Sequence, residues 1–379
     1  MILMVNDHVR ALGTGWLVRG TVPGPDVDEF GEPDQITREL ARPGAADGTL
    51  LAVQHPHRTP TAIAENRGLL DAVPIAEAAL GHLRAQHYRR VHDVVALSWG
   101  DGPGGEALGV QCVVDPTAVL PGGLTFVRHT EDVYPEVVAE RAAMQAALRC
   151  ATSAAMLVPA DGGAAFTALL KGVVAELGEP EVSIVDKHGR DRIWLLGKGD
   201  LQDTVLTAIR RHPLLVADGN HRVAAATLAG NGLLALVTDG PDLRIGPINR
   251  VFVHTSLAPG ELVERWRAAG LDIQPANGSP APGTVVVLAG LDRLAIRLPG
   301  PGIDHQKVEQ LMVERALGRD PAEVLRPLYV GQQPRPDADA VVLIAPVPLD
   351  HVLSGRRMPR KATYFTPKPR SGLVLADLR

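Results

Sequence analysis

The sequence predicts a mixed α/β protein, α+β in its layering. Three observations carry that prediction. Helical and strand patterns alternate through the middle of the chain instead of segregating into separate blocks. The stretch LLVADGNHRVAAATLAG, residues 214–230, is an apolar strand that turns sharply into a small-residue helix. The 379 residues, 45% hydrophobic and 21% charged, supply cores for two or three domains at ~100–200 residues each.

The elements follow in order. Residues 18–35, VRGTVPGPDVDEFGEPDQ, are Pro/Gly/Asp punctuation and predict an irregular loop. PDQITRELARPG predicts a short helix, GTLLAVQHP a strand, and residues 63–91 one long or two short helices from their apolar spacing. HDVVALSWGDGPGGEALGVQCVVDP predicts two strands joined by a glycine-rich turn. From residue 133 come a helix (VYPEVVAERAAMQAALRCA), a strand (SAAMLVPADG) and a helix (AAFTALLKGVVAELG). A hairpin turning at 187–190, the helix LQDTVLTAIRRHP and the strand–turn–helix follow, then strands at GLLALVTDG and IGPINRVFVHT. The last part reads as helix GELVERWRAAG, strands TVVVLAG and RLAIRLPG, and helix DHQKVEQLMVERALG. Beyond it, MPRKATYFTPKPRSG is extended, because prolines 359, 367 and 369 exclude a helix. This organisation predicts an N-terminal α/β region at 1–120, a core at 121–255 and a C-terminal α/β region at 256–379.

Composition narrows the function. A net charge of −5 argues against a nucleic-acid binder. The start MILMVNDHVR lacks the basic and apolar regions of a signal peptide, and apolar runs fall short of the ~18 residues of a membrane span. The two cysteines, Cys112 and Cys150, lie far apart without metal-ligand neighbours and read as reduced buried thiols of a cytoplasmic protein. His55 and His57 alone make a poor metal pair. The glycines of DGPGGEALG lack the P-loop and dinucleotide patterns, and no nucleophile elbow is present.

The chemistry concentrates at Asp218-Gly219-Asn220-His221-Arg222. Gly219 accepts a positive φ in a turn, and Asp218 can bond nearby backbone N–H groups. The helix that follows presents N–H groups and a partial positive charge, a setting for a phosphate. His221 and Arg222 oppose that dipole by roughly 0.3–1 kcal/mol each, a conflict an anion would remove. The alternative is an Asp cap beside a solvated His–Arg pair. In FVRHTED, Arg128 can contact a phosphate while His129 and Glu131 or Asp132 supply general base chemistry. Alternatively Thr130 or Asp132 caps the next helix. In the C-terminal segment Lys361, Thr363 and Lys368 stand beside Tyr364 and Phe365. They can line a phosphate and base site, or the aromatics simply pack a core with the lysines in solvent.

DGNHR in this context is similar to the D-G-H-H-R signature of the ParB/sulfiredoxin-like fold, which includes nucleotide-binding proteins and free-serine kinases. Four further segments, VRHTEDVYPEVVAERAAMQAALRCATSAAMLVPADG, HGRDRIWLL, RIGPINRVF and MPRKATYFTPKPRSGLVL, resemble in order the motifs of the family called domain of unknown function 1015. In that resemblance Arg141 matches the arginine of an Asp-Arg pair, with Glu140 in the acid's place. The chain departs from the pattern at Asn220, Thr130 and Asn249. Its counterpart of an early Pro-Pro-Tyr-Asp element, Pro23 to Asp26, lacks the tyrosine.

The resemblance implies a ParB/sulfiredoxin-like core around the strand–DGNHR–helix turn. It also implies a kinase that moves a phosphoryl group from ATP or ADP, with Mg²⁺, to the hydroxyl of serine or a related amino acid. Asp218, His221, Glu131 and His129 are the implied catalytic residues. Gly219, Asn220, Arg222, Arg128, Lys361, Thr363 and Lys368 are implied to hold phosphates or nucleotide, and Asp218 the metal. The expected partners are a small-molecule substrate and a nucleotide, without nucleic acid or membrane, and with a homodimer as a further option. The alternatives are a non-catalytic nucleotide-binding regulator and a divergent enzyme of another transfer or condensation reaction, the latter motivated by Asn220, Thr130 and Asn249.

Overall fold

A computed structural model of the chain describes residues 8–30, 33–102, 104–187, 189–329, 331–354, 357–368 and 370–378. The reading of the extreme N-terminus therefore lies largely outside the described residues, as do His188 of the hairpin turn and Pro369 of the C-terminal segment. The chain forms two units. The first holds residues 1–129, 133–243 and 366–379, and the second holds 130–132 and 244–365. Apart from 130–132, segments 1–120 and 121–255 thus share one unit up to residue 243, and residues 366–379 join them there.

The first unit is built on a twelve-stranded mixed sheet. Its main strands are β1 (Leu12–Val18), β2 (Tyr88–Gly102), β3 (Gly105–Val114), β4 (Val127–Arg128), β5 (Ala155–Pro159), β6 (Gly189–Leu196), β7 (Leu214–Asp218) and β8 (Leu233–Pro241). Their order runs β4-β7-β5-β8-β3-β2-β1, continued by the strand Val374–Asp377 and the short strand Cys150–Ala151. One edge of β2 serves β1 over residues 88–94 and β6 over residues 95–101.

Period-two alternation decides the two faces of this sheet. Along β2, Val94 and Ala96 join one apolar cluster and Val95 and Leu97 the other. Along β3, Val113 separates in the same way from Val110, Cys112 and Val114. The first face is covered by the short helix Leu50–Gln54 and by α1 (Val73–His87). The second is covered by α3 (Gly163–Leu177), α4 (Asp200–Arg210) and α5 (Asn220–Ala229), while α2 (Pro135–Leu148) packs on α5. A sheet buried on both faces reads as continuous apolar runs, as LLALV and LLVA do. Cys112 and Cys150 are buried free thiols, and burial pushes their pKa values up to about 12 and about 11.

The second unit carries a six-stranded antiparallel sheet. Its strands are β9 (Ile248–Phe252), β10 (Asp272–Pro275), β11 (Thr284–Ala289), β12 (Asp292–Arg297), β13 (Leu325–Tyr329) and β14 (Ala340–Leu343), in the order β10-β12-β11-β14-β9-β13. Its core gathers around Phe252, Trp266 and Met312. The Trp266 indole N–H donates to the Met312 carbonyl at 3.0 Å, which satisfies the one polar atom of a fully buried ring. The helix expected at DHQKVEQLMVERALG forms, with an α-helical turn at Asp304–Lys307 and π-helical geometry over Val308–Arg315.

The mixed α/β expectation holds, and two local expectations do not. GTLLAVQHP is a helix rather than a strand. Thr49 caps it by accepting the Ala52 N–H at 3.3 Å, and Leu50, Leu51, Ala52 and Val53 are all buried. An apolar run buried on every side carries no period, so tertiary packing decides its state. The helix at VYPEVVAER is entered through Tyr134 and Pro135, with neither Thr130 nor Asp132 as its cap. Among the described residues no helix is long and apolar enough to cross a membrane.

His55 closes the Leu50–Gln54 helix. Burial lowers its pKa to about 4, helped by the neighbouring charges of His57, Arg141 and Arg58. The fold therefore holds His55 neutral, while the unfolded chain takes up its proton near the ordinary 6.5. The unfolded state binds more protons in that window, so stability is lost as pH falls from about 6.5 towards 4, by on the order of 2–3 kcal/mol from this group. His305, lowered to about 3 by burial in the second unit, acts in the same direction. Thermal unfolding midpoints should fall steadily between pH 6.5 and 4.5, and His55→Gln should flatten part of that slope. An unchanged slope in the variant refutes the assignment.

Candidate functional site

The site begins at the end of β7. A bulge between Val216 and Asp218 breaks the pairing with β5 and re-aims Asp218. Gly219 follows with φ +95° and stands at the N-cap of α5, where it has no side chain to bond the helix N–H groups. A Cβ at Gly219 would lie 2.7 Å from Arg222 Nε and 3.2 Å from Ala155 Cβ. Glycine is required here both by its backbone and because the guanidinium folds back across it.

Arg222 makes that turn to reach three acceptors. Its Nη2 donates to Asp218 Oδ2, and its Nη1 donates to Ser153 Oγ and, at 2.6 Å, to the Ala154 carbonyl. Lys368 brings the C-terminal segment to the same carboxylate, with Nζ 3.0 Å from Asp218 Oδ1. Two motifs 150 residues apart therefore meet on one carboxylate. The polar chain continues outward. Ser153 Oγ lies 3.2 Å from Ser371 Oγ, and the Ser371 N–H donates to Asp26 Oδ2 at 2.7 Å. Asp26 is the acid of the reduced Pro-Gly-Pro-Asp element.

His221 and Asn220 point to the other side of the turn. The Tyr134 N–H donates to His221 Nε2 at 3.0 Å, and the two rings stack with centroids 5.7 Å apart. An accepting Nε2 carries no proton, so this imidazole is neutral with its proton on Nδ1. Asn220, buried, places Oδ1 3.1 Å from His129 Nδ1. The amide oxygen can only accept, so His129 is the donor. Arg128 stands on β4, beside Leu215 of the parallel β7, one residue before His129.

These contacts revise the electrostatic argument from sequence. The conflict of His221 and Arg222 with the helix dipole is relieved internally, because His221 is neutral and Arg222 is turned back onto Asp218. The N-cap residue is Gly219 and not Asp218. Asp218 is the shared partner of two cations.

Glu131, Lys361 and Thr363 form a separate cluster in the second unit. Glu131 Oε1 accepts the N–H of Ala362 at 3.2 Å, the N–H of Thr363 at 2.7 Å and the Thr363 hydroxyl; Oε2 accepts the Lys361 N–H at 3.1 Å. Asp132 pairs with Arg357 at 3.1 Å.

A Mg²⁺ ion implied by the family resemblance does not fit Asp218 as it stands. One carboxylate oxygen is engaged by Arg222 and the other by Lys368, so a protein-held metal would displace a cation. Among the described residues no group of three or more His, Cys, Asp or Glu could hold a metal ion.

Sequence reasoning missed Ser153 and Ser371. Each is a lone hydroxyl between louder residues, and the two lie 218 positions apart, so no local pattern marks the pair.

Residues 104–290 match the profile of the family described as protein of unknown function (DUF1015), which contains the DGNHR turn. The chain is similar in structure to a conserved hypothetical protein from Pyrococcus furiosus, with 14% identity, TM-score 0.37, and coverage of 65% of this chain and 90% of that one. It is similar to SbnI from Staphylococcus aureus lacking its C-terminus, with 11% identity, TM-score 0.38 and coverage of 65% and 84%. It is also similar to a free serine kinase in complex with AMP, with 14% identity, TM-score 0.36 and coverage of 65% and 88%. No curated protein matches the sequence.

Gly219→Ala should destabilise the first unit by about 1–2 kcal/mol, because alanine meets both a positive φ and the Arg222 guanidinium. Denaturant unfolding measures this directly. A variant as stable as the parent would show that the turn relaxes freely.

Proposed function

We propose that the turn 218–222 and Lys368 bind the phosphates of a nucleotide, ATP or ADP. On this reading the protein transfers a phosphoryl group to the hydroxyl of a small molecule, serine or a related amino acid. The observation that carries this reading is the meeting of Arg222 and Lys368 on Asp218, beside the N-terminus of α5, whose N-cap residue is Gly219. A phosphate there gains the helix N–H groups together with two cations already gathered at one point. Arg128, at the end of the neighbouring parallel strand, adds a third.

The roles follow from the contacts. Phosphate binding draws Arg222 and Lys368 towards the ligand and releases Asp218 from its ion pairs. Asp218 then orients the acceptor hydroxyl and takes its proton. The hydroxyl oxygen forms a bond to the terminal phosphorus, the bond from that phosphorus to the bridging oxygen breaks, and the shortened nucleotide leaves. Positioning and charge neutralisation carry the catalysis. His129 and Asn220 fix one wall of the turn. His221 holds the entry to α2 through the Tyr134 N–H. Any Mg²⁺ would arrive on the nucleotide and not on a protein-built site.

A second reading, a nucleotide-binding regulator without transfer, draws on Asn220. Its amide cannot titrate where the signature has a histidine. Phosphorus NMR with ATP or ADP and hydroxy amino acids separates the two. A phosphorylated product supports transfer, whereas nucleotide binding by calorimetry without product supports the regulator.

For either reading, Arg222→Ala and Lys368→Ala should each weaken nucleotide binding about tenfold or more, the loss of one charge-assisted contact at ~1.4 kcal/mol. Wild-type affinity in both variants would remove the turn as the binding site.

A further inference from the structure

We propose that the loop 361–363 is a phosphate-binding cradle of the second unit, and that the Glu131 carboxylate is its resident anion. Three successive backbone N–H groups and one hydroxyl converge on that single carboxylate. Lys361 is left-handed, φ +56°, which turns adjacent N–H groups towards a common point. Such a concavity is the backbone's own anion site. A carboxylate with two oxygens fills it here, and a phosphate offers three oxygens to the same donors.

The surroundings suit an anion of higher charge than a carboxylate. Arg250, 3% exposed, donates to the Lys361 carbonyl at 3.1 Å and holds the loop from beneath. Its guanidinium lies 3.8 Å from Glu309, which also feels Arg360. Arg357 pairs with Asp132. Arg250 and Arg360 thus act on Glu309, and Arg357 on Asp132. With Glu131 withdrawn, the loop's three N–H groups and the Thr363 hydroxyl are left without their anion, with the buried Arg250 guanidinium bonded to the Lys361 carbonyl. Glu131 is then a gate: it keeps the cradle built in the absence of ligand and yields it to a stronger anion. This inference uses only residues of the second unit and is independent of the reading of the 218–222 turn.

Glu131→Gln is the discriminating change, because the amide carbonyl still accepts N–H bonds while the negative charge is lost. The full chain is titrated with inorganic phosphate and, separately, with ADP, following backbone amide resonances. Shifts at 361–363 report the cradle and shifts at 219–222 report the turn, so the two readings succeed or fail separately. Phosphate affinity at 361–363 should rise at least fivefold in Glu131→Gln and fall in Thr363→Val. Tighter binding of ADP than of phosphate identifies a nucleotide as the source of the group, and equal binding identifies the phosphate group alone. Unchanged or weaker phosphate binding in a Glu131→Gln chain whose loop resonances are intact overturns the proposal. If those resonances are already lost without ligand, Lys361→Ala in the parent chain decides: a fall of threefold or more supports the cradle, and no change overturns it.

Discussion

The ion pair between Asp218 and Arg222 holds the first unit's site together. To make it, the guanidinium must cross the Cα of the residue between them, so that residue has no side chain. The same guanidinium bonds Ser153 and the Ala154 carbonyl, which fixes the start of β5 against the end of β7. Both partners are about a quarter exposed, so the pair alone contributes ~1 kcal/mol or less. Its importance lies in connectivity. Lys368, Ser153, Ser371 and Asp26 are all placed by reference to it, and together they tie the N-terminal loop, two central strands and the C-terminal segment to one point.

The two units use a common device. In each, a carboxylate of the protein gathers several donors: Asp218 lies between two cations, and Glu131 accepts three successive N–H groups and a hydroxyl. An unpaired guanidinium or an inward-facing group of N–H donors is costly to leave unsatisfied. An internal carboxylate satisfies such groups within the fold.

Much of this was legible in the sequence, for identifiable reasons. The strand–turn–helix at 214–230 was clear because glycine, an apolar strand and an alanine-rich helix each signal their own state locally. The pairing of Lys368 with Asp218 was not legible, since no local rule links two residues 150 positions apart, and the motif resemblance implied only that Lys368 holds a phosphate or nucleotide. The direction of Arg222 was not legible: a residue in the first turn of a helix can face solvent or fold back, and the acceptor positions that decide this come from β5. The helix at Leu50–Gln54 was hidden because a run buried on all sides shows no period. Glu131 read as a candidate base, and its bonds to residues some 230 positions later lie outside any sequence window.

The strand Val374–Asp377 lies inside the sheet order of the first unit, between β1 and the strand at 150–151. Lys368 and Ser371, which complete the polar chain around Asp218, are in the same returning segment. On the ribosome, all of the second unit up to residue 365 emerges before any of these groups does. The first unit must therefore wait, with its sheet interrupted and the Asp218 cluster short of one cation, until residues 368–377 are made. The unit whose first strands are made before residue 244 closes only after the second unit's chain is complete.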